Sequence, residues 1–161
     1  MKNNKRSSTG FYDFALYPLP GLAAIRNSIK GEGQRSIFII YRSSEDQAAT
    51  LEGFLNSIFN AAAVNLPKDA YLLNLPNNQR VLITDLYKEF AIDTIFAFGI
   101  RPAEIGIQAQ FPSYLPVEID QKTYLFADDI ARIHEERQQK GTQLSGALWK
   151  AIRQLFKKQH S

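Results

Sequence analysis

The residues that most often carry covalent chemistry are nearly absent from this chain: it has no cysteine and two histidines, His134 and His160. Thiolate nucleophiles, disulfides and iron–sulfur clusters are thereby excluded, and an ordinary zinc site lacks its donors. The only metal the composition allows is a hard cation held by carboxylates. A serine hydrolase needs a base beside its nucleophile, yet no Gly-x-Ser-x-Gly elbow occurs, His134 falls in a charged helical stretch and His160 lies in the tail. The adjacent carboxylates Asp128 with Asp129 and Glu135 with Glu136 fail as acid–base pairs, because helix neighbours point about 100° apart and cannot flank one bond. Neither Gly-x-Gly-x-x-Gly nor Gly-x-x-x-x-Gly-Lys is present to cradle a phosphate. No catalytic residue, cofactor site or metal site is assigned, and the chain reads as a binding subunit and not as an enzyme.

What remains is binding chemistry, and the elements decide where it sits. Ser36 to Tyr41 (SIFIIY) is a continuous β-branched and aromatic run, the pattern of a strand buried on both faces. Ser44-Glu-Asp-Gln47 reads as a capping box, after which Ala48, Leu51, Leu55, Ile58, Phe59 and Ala62 recur at helical spacing until Pro67. Tyr71 to Leu75 predicts a second strand, Val81, Leu82, Leu86 and Phe90 a second helix, and Thr94 to Ile100 a third strand that turns sharply at Gly99 and Pro102. Val117 to Asp120 and Thr123 to Phe126 predict a short hairpin or a turn into a fourth strand. Asp128 or Asp129 caps a helix reaching about Gln139, and Gly141 breaks it. Leu144, Leu148, Trp149, Ile152, Leu155 and Phe156 form the apolar face of a last helix, with Lys157 and Lys158 in its final turn. The β-α-β-α-β alternation predicts an α/β fold: a three-layer α/β/α sandwich around a mainly parallel central sheet of about four strands.

Such sheets bind ligands outside the carboxyl ends of their strands. Ser43, Ser44, Asn74, Gly99, Arg101 and Asp128 are therefore the candidates for an anion or ligand crevice, with Arg101 beside a helix N-terminus as its cation. Trp149 has the ring to stack a base, but the leucines spaced around it point to a core position.

At 161 residues, with 45% hydrophobic and 22% charged residues, the chain has the size of one domain. It holds no apolar run of about 18 residues to span a bilayer and no signal-peptide core behind its polar start, so a cytoplasmic location is expected. Residues 1 to 42 carry seven Lys and Arg against two acids, a balance of +5 within an overall +3. We divide the chain into a flexible basic and aromatic leader, residues 1 to 20, and a single α/β domain, residues 21 to 161. The leader places Phe11, Tyr12, Phe14, Leu16 and Tyr17 ahead of two prolines. Aromatics at that density pack on something, either the chain's own domain or a partner for which these five are the anchors.

The segment TIFAFGIRPAEIG, followed by a short strand and the closing ALWKAIRQLF, resembles bacterial DNA polymerase III psi subunit-like proteins, which share the architecture of uracil-DNA glycosylases without their activity. The resemblance covers roughly residues 36 to 156. Glycosylases of that architecture carry a Gly-Gln-Asp-Pro-Tyr-like loop after an early strand and a late His-Pro-Ser-Pro-like loop; RSSEDQ, GIRPAEIG and FADDIARIH stand at the corresponding strand ends here. Base excision is therefore not expected. What the resemblance implies is a small non-catalytic adaptor of a DNA replication or repair assembly, whose leader reaches the clamp loader and whose folded body holds a chi-like subunit. Two other readings rest on the residues alone. One is a nucleotide- or anionic-metabolite-binding protein with its site near Arg101. The other is single-stranded nucleic-acid binding through Lys2, Lys5, Arg6 and the leader aromatics, with affinity that falls steeply with salt.

Overall fold

The computed structural model describes residues 22–77 and 79–159. Its centre is a six-stranded mixed sheet in the order β1-β3-β2-β4-β6-β5. The strands are β1 (Ile29–Lys30), β2 (Ile37–Tyr41), β3 (Ala70–Asn74), β4 (Thr94–Phe98), β5 (Val117–Ile119) and β6 (Lys122–Ala127). The four inner strands run parallel, with Ile39 opposite Leu72 on one side and Phe96 on the other, and Phe96 in turn opposite Leu125. Both edge strands are antiparallel, β1 on β3 and β5 on β6. The expectation of a mainly parallel sheet of about four strands is corrected by these edges. A two-residue strand such as β1 is too short for periodicity to reveal, and it is held in place by tight passage of the chain. Gly31, at φ 98°, lies so close to β3 that a Cβ there would meet the Ala70 carbonyl oxygen at 2.1 Å.

The helices are α1 (Leu22–Ile25), α2 (Ala48–Ala61), α3 (Leu66–Asp69), α4 (Ile83–Glu89), α5 (Ile130–Gln138) and α6 (Gln143–Gln159). Every residue of β2 and β4 is buried, and because successive side chains point to opposite faces they feed two cores. On one face Ile37, Ile39 and Tyr41 pack with Leu51, Leu55 and Phe59 of α2 and with Leu148, Ile152 and Phe156 of α6. On the other, Phe38 and Ile40 pack with Ile25, Leu86 and Ile95.

Three local expectations change. The Ser44–Gln47 capping box does not form: the Ser44 carbonyl accepts from the Gln47 amide as a turn, and the N-cap of α2 is Gln47 with no side-chain bond. The helix ends at Ala61, before Pro67, which instead sits in the first turn of α3 behind the Asn65 cap. Trp149 is half-buried at a groove, while Leu148, Ala151, Ile152 and Leu155 around it are buried. The proposed leader, residues 1 to 20, with its anchors, and His160 lie outside the described residues. No helix among the described residues is long and apolar enough to cross a membrane.

Candidate functional site

In this sheet the chain order reverses beside β2: β3 is added on one side and β4 on the other. The carboxyl ends of β2 and β4 therefore flank the place where α/β sheets usually hold a ligand. Arg42 follows β2 directly, and Gly99 follows β4. Gly99 has φ 68°, and a Cβ there would come within 2.9 Å of the Asp129 Cα, so the turn requires glycine. It delivers Arg101 as the N-cap of a 3-10 turn, Pro102–Ile105, that carries Glu104.

Glu104 links the two strand ends. Arg42 Nη1 donates to Glu104 Oε1 at 3.0 Å, and the Arg101 amide donates to Glu104 Oε2 at 2.8 Å. The Arg42 and Glu104 side chains are only 16% and 18% exposed, whereas that of Arg101 is 86% exposed and reaches Glu104 only through Nε, at 3.5 Å. Burial alone would raise the Glu104 pKa, but the Arg101 amide and the Arg42 charge outweigh it and hold the carboxyl below its usual range. Arg42 Nη2 also donates to the Gln79 carbonyl at 3.3 Å. Arg42 Nε and Gln79 Oε1 are buried without a hydrogen-bond partner among the described residues.

The other sequence candidates are engaged as well. The Asn74 amide bridges β3 to the loop after β2, accepting from the Ser43 backbone at 3.1 Å and donating to Ser43 Oγ at 2.8 Å. Ser44 is exposed and takes part only in the turn before α2. Asp128 accepts from Tyr114 Oη at 2.6 Å and pairs with Arg132 at 3.1 Å, while its neighbour Asp129 caps α5 through the Ala131 amide at 3.0 Å. Burial, and then the bond to Asp128, push the Tyr114 phenol well above its ordinary value, so it remains the donor. Ser43 with Asn74, Arg42 and Arg101 with Glu104, and Asp128 with Tyr114 and Arg132 thus form three separate clusters. Sequence reasoning missed Glu104, although its spacing from Arg101, N-cap to N3, is where a helix start recruits a carboxylate.

Among the described residues His134 bonds no hydroxyl: one ring nitrogen lies 3.2 Å from Gln138 Nε2, and the ring packs edge-on against Phe54 at 4.8 Å. Among the described residues no three His, Asp or Glu side chains come together as a metal would need.

A second feature lies on the face of α2, α5 and α6. Here Phe54, Ile58 and Trp149 floor an open groove with a volume of about 610 Å³. Its wall on α2 is made of small residues at four-residue spacing, Gly53, Ser57 and Ala61, and its opposite wall carries Arg137. No family model matches the chain, and no curated protein matches it.

Proposed function

We propose that this chain is a non-catalytic binding subunit, an adaptor of a DNA replication or repair assembly of the psi-like kind. The observation that supports the non-catalytic part is the Arg42–Glu104 ion pair, which lies at the carboxyl ends of β2 and β4, where such sheets usually hold a ligand. Ligand binding there requires breaking a largely buried pair, and Glu104 presents negative charge to any anion approaching Arg101. The replication assignment is supported by the likeness of TIFAFGIRPAEIG and ALWKAIRQLF to psi-like proteins and by the basic, aromatic leader.

The test is binding of the purified full chain to purified clamp-loader and chi subunits, beside a variant lacking residues 1 to 20. Retention of the full chain and loss of loader binding by the shortened one is expected. Failure of both subunits to bind the full chain overturns the replication assignment. Equal binding by the shortened chain overturns the anchor role of Phe11, Tyr12, Phe14, Leu16 and Tyr17.

A further inference from the structure

The groove between α2, α5 and α6 has a feature that internal packing does not account for. Gly53 lies in the middle of α2 on its exposed side, where a Cβ would meet nothing within 4 Å. Glycine inside a helix is about 1 kcal/mol less favourable than alanine, and no crowding among the described residues requires it here. Together with Ser57 and Ala61 it makes one wall smooth enough for another backbone to approach closely, as helices do where small residues line the contact. The floor supplies apolar and aromatic surface from Phe54, Ile58 and the half-buried Trp149.

Charge selects the occupant. No carboxylate lines the groove, and Arg137 on its wall contacts Ser145 Oγ at 3.5 Å but no acid among the described residues. The adjoining helix α6 contains no acidic residue and exposes Lys150, Arg153 and Lys157. From Ile130 to the last residue, seven Lys and Arg stand against two Glu, whereas the whole chain balances at +3. Residues 1 to 42 hold an equal excess; what sets the groove apart is that Arg137 lines it and that the helix carrying Trp149 has bases and no acid.

Resting on the binding-subunit reading, we infer that this groove docks an amphipathic helix of a partner protein that carries acidic side chains beside its apolar stripe. Leucine-type side chains of that helix fill the Phe54–Trp149 floor, its backbone lies along Gly53, Ser57 and Ala61, and its carboxylates face Arg137 and the lysines of α6.

Trp149 is the only tryptophan in the chain, so its emission reports occupancy directly. The probes are a synthetic amphipathic peptide of about five helical turns with leucines flanked by glutamates, the same peptide with lysines for glutamates, and single-stranded oligo-dT. With the full chain, the acidic peptide shifts Trp149 emission to shorter wavelength with saturation in the micromolar range, and the lysine peptide binds about tenfold more weakly. Gly53→Leu and Arg137→Glu each weaken the acidic peptide about tenfold without lowering the melting temperature. Equal response to both peptides, no response to the acidic one, or a response to oligo-dT alone overturns the inference. Purification of natural partners by wild type and Gly53→Leu separates the two claims. Partners retained equally by both chains overturn the groove alone; partners recovered by neither overturn the binding-subunit reading with it.

Discussion

Glu104 accepts from the Arg42 side chain on one oxygen and from the Arg101 amide on the other, which fixes the orientation of its carboxylate. Glu104→Gln should destabilise the protein by about 2 kcal/mol at neutral pH, since it leaves Arg42 half-paired in a largely buried position. The sign of the pH dependence follows from the lowered Glu104 pKa. A carboxyl whose folded pKa is depressed contributes stability above its unfolded value and loses it as pH falls through the folded one. The gap between wild type and Glu104→Gln in urea unfolding should therefore be full at neutral pH and shrink through and below the ordinary glutamate range; a gap independent of pH would contradict the pairing. Gly99→Ala should cost about 2 kcal/mol, from its positive φ and the approach of Asp129. Trp149→Ala should cost only about 1 kcal/mol, because a half-buried ring loses part of its contact area, while Leu148→Ala beside it should cost about 3 kcal/mol. Helical spacing could not separate the two, since residues 148 and 149 both fall within one wide apolar face. The candidates Ser43, Asn74, Gly99 and Arg101 were legible as strand-end residues. Gln79 and Tyr114, which bond Arg42 and Asp128 across 37 and 14 positions, were not, because such contacts leave no local pattern, and neither does the 62-position pairing of Glu104 with Arg42.

At the scale of elements, the inner strands could be read because runs such as IFIIY and TIFAF are apolar throughout, and a strand covered on both faces needs that pattern. Of the two edge strands, β5 falls within the expected hairpin of Val117 to Asp120 with Thr123 to Phe126, whereas β1 escaped because it has only two residues. The first turn of α2 was misread because Ser44 and Gln47 have the residue types of a capping box while the backbone supplies the turn bond itself. Gly53→Ala tests the account of α2 independently of any partner. It should raise stability by about 0.5–1 kcal/mol, read by thermal or urea unfolding; a loss would mean that Gly53 serves the fold and not the groove.

Across the whole molecule, charge and closure point the same way. The C-terminal helices carry a net positive charge, the Arg42–Glu104 pair joins the ends of β2 and β4, and an open groove floored by Phe54, Ile58 and Trp149 lies between helices. That layout suits a protein that works through its surface. The central claim is tested most directly by purifying the tagged full-length chain from its own cells at low and high salt and identifying what is retained. A stoichiometric protein partner that persists at high salt is predicted. Recovery of no protein, together with a nucleotide or phosphorylated metabolite that raises the melting temperature of wild type but not of Arg101→Ala, would contradict it and return the function to the crevice between β2 and β4.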